Sequence, residues 1–295
     1  MIDFDYLAKI RNTFSILTNK RASNILEGDF LSVYRGRSLE FDELSEYTYG
    51  DNVQDIDWKS SSRAGRTLVR RYVANKKHFV LFIVDSGDKM TAHTSAGEWK
   101  KNIACTTLGT IAYLADQAGA DYALLRHTKE GYEHSLFRSG MPHLDQLLYT
   151  CSENIGVNSK TGVDALLDFA VENIRKKMII CLITDLGGLM HLDEHLVQKV
   201  TYGNDLVVVN IDDAYLTDDY AFDVHSSRYA DTYLVRSRKL RVEERKQRRA
   251  MLRERANMLY HQHAGFCTIR KESEIVDRVI ALFDQRTWGE TQEGL

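Results

Sequence analysis

Three short, mostly apolar runs, each closed by aspartate, constrain this chain more than any other feature. Residues 79–84 run into Asp85, 178–184 into Asp185, and 206–211 into Asp212 and Asp213. Such runs are too short for core helices and suit strands buried on both faces. Helical patterns separate them. Ser95-Ala-Gly-Glu98 has the form of a capping box. It precedes a helix with Ile103, Leu108, Ile111, Leu114 and Ala118 among its apolar positions, and further helices are predicted over 143–151, 163–176 and 192–201. Strands alternating with helices imply a parallel sheet covered on both faces, with right-handed crossovers. Residues 122–127 and 135–138 read as two strands joined by a turn containing Gly131. A last strand is expected at 267–270, and a closing helix at 274–285 with Ile275, Val279, Leu282 and Phe283 on one face.

Upstream, residues 3–26 follow helical spacing, whereas 30–75 mix Gly, aromatic and charged residues and read as irregular up to a strand at 68–74. The expected organisation is a segment 1–76, a domain 77–286 that includes a basic helix at 236–263, and a mobile tail 287–295. A net charge of −3 excludes a general polyanion binder, so any basic surface must be local. Cys105, Cys151, Cys181 and Cys267 are far apart and form no CxxC pair. With no signal-peptide pattern and no long apolar run, a reduced, cytoplasmic protein without a membrane span is expected.

Ligands of open α/β sheets gather beyond the carboxyl ends of the strands. Asp85 and Asp185 stand there, and Thr161 precedes a helix that could bring its hydroxyl inward. These hard oxygen donors suit Mg²⁺ or Ca²⁺. A cation would want hydroxyls at the second and fourth positions after Asp85, but those positions hold Gly87 and Lys89. Three readings follow, in order: a site that no longer holds metal, a Lys89 ammonium standing between Asp85 and Asp185, and a working Mg²⁺ site. On any of them the crevice rim, with Ser86, Asp88, Lys89, Thr161 and Asp185, is a candidate partner surface.

Two other clusters carry charge. Asp51, Asp55 and Asp57 are followed by Arg63, Arg66, Arg70 and Arg71. Bidentate carboxylate–guanidinium pairs would clamp this segment, with Trp58 anchoring it on the core. The alternative is a hydrolase or nuclease using Asp51, Asp55 and Asp57. Residues 236–255 hold ten basic and three acidic residues. Arg245, Arg248 and Arg249 are therefore candidates for an acidic protein partner, with anionic lipid as an alternative. Nucleic acid is not expected, because no aromatic residues interleave for base stacking. The sequence contains no G-x-S-x-G, HExxH or P-loop, so no reaction is indicated.

Asp85, Thr161 and Asp185 occupy positions resembling the metal-ion-dependent adhesion site of the von Willebrand factor A fold. Its D-x-S-x-S motif reads Asp85-Ser86-Gly87-Asp88-Lys89 here, followed by a matching Met90. Upstream, Phe41, Glu43, Tyr47, Gly50-Asp51, Asp55-Ile56-Asp57-Trp58 and Ser62-Arg63 resemble the signature of domain-of-unknown-function family 58. Glu46 and Gln54 replace two arginines of that signature, and Ser62 replaces an alanine. The resemblance implies a von Willebrand A-like, doubly wound, mostly parallel α/β sheet with an antiparallel edge strand, preceded by an irregular or β segment. It also implies a non-enzymatic interaction module, with a degenerate metal site, partnering a MoxR-type AAA+ ATPase and its clients. An Mg-dependent adhesion-type module is the rival reading.

Overall fold

The computed structural model describes residues 40–48, 51, 53, 56–73, 78–128, 130–157, 162–217, 222–223, 228–229 and 237–284. The expected helix at 3–26, Asp55, Thr161 and the tail from 287 lie outside them.

The N-terminal part of the described chain is a β-hairpin-like unit. Strand β1 (Glu40–Glu46) pairs antiparallel with β2 (Leu68–Val73), and helix α1 (Trp58–Ala64) lies between them in sequence. The sequence reading of 40–66 as irregular is corrected here. Asp57 caps α1 by accepting from the Ser60 N–H at 3.0 Å, and Gly65 ends it with φ 66°, a left-handed value that glycine adopts without strain.

The rest is built on a six-stranded sheet. Its strands are β3 (Phe79–Val84), β4 (Asp121–Thr128), β5 (Gly131–His134), β6 (Ile179–Asp185), β7 (Asp205–Ile211) and β8 (Gly265–Ile269). Their order across the sheet is β8-β7-β6-β3-β4-β5, and only β5 runs antiparallel. This is a doubly wound topology: the chain works outward from β3 to one edge, then returns to β6 and works outward to the other.

Alternation along the central strands divides two cores. Val80, Phe82, Ile179, Cys181, Ile183, Val207 and Val209 face one side. There they meet α2 (Lys100–Gln117), α3 (Met141–Asn154) and the last helix, α7 (Ile275–Asp284). Leu81, Ile83, Ile180, Leu182, Leu206 and Val208 face the other. That side is covered by α4 (Val163–Asn173), α5 (Glu194–Thr201) and the C-terminal half of α6 (Arg238–His261). Burial on both faces explains why these strands read as continuous apolar runs.

Two local expectations are corrected. The second strand of the edge hairpin is Gly131–His134, not 135–138; residues 135–138 join β4 through a bridge between Tyr122 and Arg138 and through Ser135, whose N–H donates to Leu124 O at 3.0 Å and whose hydroxyl accepts from the Leu124 N–H at 3.0 Å. Ser95-Ala-Gly-Glu98 does not cap α2, which starts at Lys100 after Trp99. The Ser95 hydroxyl donates to Asp212 Oδ2, and Glu98 Oε2 accepts from the Glu272 N–H at 2.7 Å. Long-range partners have taken the groups that local spacing assigned to a cap.

Candidate functional site

β3 and β6 are neighbours whose onward connections run to opposite edges of the sheet, so the crevice above them is the switch point of the topology. Asp85 and Asp185 meet there. Asp85 Oδ1 accepts from the Gly87 N–H at 2.9 Å, and its Oδ2 from the Thr184 hydroxyl at 2.8 Å. Asp185 Oδ1 accepts from the Gly188 N–H at 3.1 Å, capping the single helical turn Leu186–Leu189. The turn passes so close that a Cβ on Gly188 would stand 1.9 Å from Thr184 Oγ1 and 2.7 Å from Asp85 Oδ2. Only glycine fits.

The fourth carboxylate oxygen belongs to a lysine that the motif comparison does not point to. Lys100, the first residue of α2, is 1% exposed. Its Nζ donates to Asp185 Oδ2 at 2.7 Å and to Asp213 Oδ1 at the end of β7. Register brings these groups together, because Asp185 is paired with Ile211, two residues before Asp213. A cation at a helix N-terminus faces the positive end of the helix dipole, so Lys100 depends on these carboxylates. Burial alone would lower its pKa, but Asp213 and Asp185 outweigh burial and raise it. Burial likewise works to raise Asp185, but the Lys100 charge and hydrogen bond reverse this and hold it below the ordinary carboxylate range. Asp85 has no such partner. Burial, with help from the Asp185 charge, pushes it up against the Gly87 and Thr184 hydrogen bonds.

The ammonium inside the crevice is thus Lys100, not Lys89. Lys89 is exposed, and its Nζ lies at the mouth, 3.1 Å from where a Gly187 Cβ would be. Ser86 is buried at 3% exposure and Asp185 at 1%, so neither offers a side chain to a partner as the rim expectation required. Asp88 is half-buried.

These residues do not fit a divalent cation. All four oxygens of Asp85 and Asp185 already accept hydrogen bonds, one of them from an ammonium. Gly87 and Lys89 supply no hydroxyl. Among the described residues, no group of three or more His, Cys, Asp or Glu is arranged to hold a metal ion.

A second set of contacts closes the rim. Arg270 Nε lies 3.6 Å from Asp212 Oδ2, and the Ala214 N–H donates to His93 O at 3.0 Å. The His93 and Trp99 rings pack at a 35° tilt with centroids 3.9 Å apart, leaving Trp99 50% exposed beside the crevice. Glu244 of α6 accepts from the Leu216 N–H at 2.6 Å, the Thr217 N–H at 3.1 Å and the Thr217 hydroxyl at 2.7 Å. Arg248 donates to Asp213 O and Ala214 O and lies over the Tyr215 ring at 4.2 Å. Of the three arginines read as partner-facing, Arg248 is therefore a latch on the 213–217 loop. Arg245 and Arg249 are exposed.

Of the expected upstream clamp, Asp55 and the Arg70 side chain lie outside what the structure describes, and the described members are placed as follows. Asp51 Oδ2 accepts from the Thr48 N–H at 2.8 Å and its hydroxyl at 2.9 Å, and Asp57 is the α1 cap. Arg63 is exposed, and Arg66 makes an exposed pair with Glu46 at 3.6 Å. Arg70 lies on β2 opposite Leu44. Trp58 is 68% exposed and does not anchor on the core. It is the first helical residue after its Asp57 cap, on a helix with no buried residue.

The sheet order and the aspartates at its switch point define an α/β domain of the von Willebrand A type. The chain belongs to the family described as "Protein of unknown function DUF58", whose model matches residues 43–256. It is 24% identical over 175 residues to the uncharacterized protein Rv1480 of Mycobacterium tuberculosis and, to the same extent, to Mb1516 of Mycobacterium bovis. That match covers 59% of this chain, which spans only 54% of the relatives' length. Among solved structures, BatB from Bacteroides thetaiotaomicron matches with TM-score 0.46 and 11% identity, over 71% of this chain and 98% of that one. A von Willebrand factor type A protein from Catenulispora acidiphila matches with TM-score 0.40 and 13% identity, over 75% and 44%. The fold assignment rests on the strand order, not on these scores. Among the described residues no helix is long and apolar enough to cross a membrane.

Proposed function

We propose that this chain is a non-enzymatic protein-interaction module, the partner or adaptor of a MoxR-type AAA+ ATPase and its client proteins, working in the cytoplasm. The observation that carries the non-catalytic part is the crevice chemistry. Asp85, Asp185 and Lys100, the groups best placed to act on a ligand, are held by one another, by Thr184, by Asp213 and by backbone N–H groups. Catalysis would require a nucleophile beside a base with a free acceptor, and a place for the reacting atom. What the rim offers instead is a recognition surface of Lys89, Trp99 and the outward arginines of α6. The ATPase assignment is supported by the family signature, whose bearers are commonly encoded beside such ATPases. Co-purification of the tagged chain with and without ATP tests it. Nucleotide-dependent recovery of an AAA+ subunit is expected, and recovery of none under either condition removes the assignment.

A further inference from the structure

We propose that the Lys100 ammonium is the permanent cation of the switch-point crevice. It takes the role a divalent ion would have between Asp185 and its neighbours, so docking on this rim needs no metal and uses no partner carboxylate to complete a coordination shell. The inference rests on geometry alone and does not depend on the ATPase partnership.

Three observations support it. Lys100 is 1% exposed, and its Nζ joins Asp185 of β6 to Asp213 beyond β7. The second and fourth positions after Asp85 are Gly87 and Lys89, which remove two hydroxyls and add a positive charge at the mouth. Finally, the ammonium stands where its own helix dipole opposes it, so only the carboxylates account for its position. A metal ion leaves coordination sites to exchange with water or a partner. An ammonium has three protons, and here two carboxylates hold it inside the protein. The route by which a partner acid reaches the cation is closed.

The experiment uses the full chain and Mn²⁺ as the probe, with binding followed by calorimetry and stability by thermal unfolding. Wild type is expected to show no saturable Mn²⁺ binding and no Mn²⁺-dependent change in Tm. Lys100→Ala is expected to lose about 6 °C or more. It should gain saturable Mn²⁺ binding that restores part of the loss, and adding Asp185→Ala should abolish that gain. Saturable Mn²⁺ binding by wild type that is lost in Asp85→Ala overturns the proposal. So does a Lys100→Ala protein as stable as wild type, or a destabilised one that ignores Mn²⁺. If Lys100→Ala does not fold, Lys100→Met is compared with Lys100→Met/Asp185→Asn/Asp213→Asn. Recovery of folding in the triple variant supports the ammonium as the charge the crevice requires, and no recovery refutes it.

Discussion

The crevice and helix α6 are both rich in charge and use it in opposite ways. In the crevice, Lys100 and Asp185 are withdrawn from water, Asp213 is half-buried, and the three satisfy one another. Along α6, nine basic residues face three acidic ones over 238–255, and the inward-turned charges of this stretch are few. The contrast reaches adjacent residues: Arg248 holds the 213–217 loop, whereas Arg249 points outward. Charge becomes architecture where it is desolvated and paired, and remains surface where it is not. Composition alone cannot distinguish the two cases.

The sharpest way to break this comparison is Lys100→Met. Removing one partner of a buried pair leaves Asp185 and Asp213 without their cation, so about 3–5 kcal/mol of stability should be lost in urea denaturation. A loss below about 1 kcal/mol would place the crevice with ordinary surface pairs. Glu244→Ala should come next. It strands two N–H groups and a hydroxyl at 216–217, and about 1–3 kcal/mol should be lost.

pH sharpens the first prediction. The raised pKa of Lys100 means that its stabilisation is complete below the ordinary lysine value and disappears as pH climbs through the raised one. The lowered pKa of Asp185 means that its share is present above the ordinary carboxylate value and is lost as pH falls through the lowered one. Asp213, the other partner, is pushed above the ordinary carboxylate value by burial against the Lys100 charge, so the gap between wild type and Lys100→Met should begin to narrow as pH falls through that raised value, and should also close as pH climbs through the raised Lys100 value. Smallest of all, Trp58→Ala and Arg249→Glu should each stay within about 0.5 kcal/mol of wild type, because both side chains are exposed. Any marked effect of Arg249→Glu should appear in partner capture instead.

The sheet was legible because its strands are buried on both faces: β3, β6 and β7 fall within a residue of their predicted bounds. Strand β1 was not. Glu40–Glu46 carries glutamates and an aspartate, and it pairs with a strand 22 or more residues onward, so no local alternation marks it. At the site, Asp85 and Asp185 are readable as strand ends, but the one ammonium the motif suggests for them, as the second of three readings, is the nearby Lys89. Lys100 had a signal of its own. It starts the stripe Lys100, Ile103, Ala104, Thr107, Leu108 and Ile111, the buried face of α2. A lysine on the apolar stripe of a helix needs a buried counter-charge. Asp213 could not be chosen from the sequence, because its place depends on the register between β6 and β7.

The contacts that close the rim also set an order of assembly. Lys100 and Asp185 are 85 positions apart, Ser95 and Asp212 are 117, and Glu98 and Glu272 are 174. Loops of that length must be closed before their bonds contribute anything, and contacts of high sequence separation slow folding. β8, which covers the edge of β7, is the last strand among the described residues. A nascent chain that stops short of Gly265 would carry a bare parallel edge. Emergence of Gly265–Ile269 is therefore the step at which the β7 edge is covered.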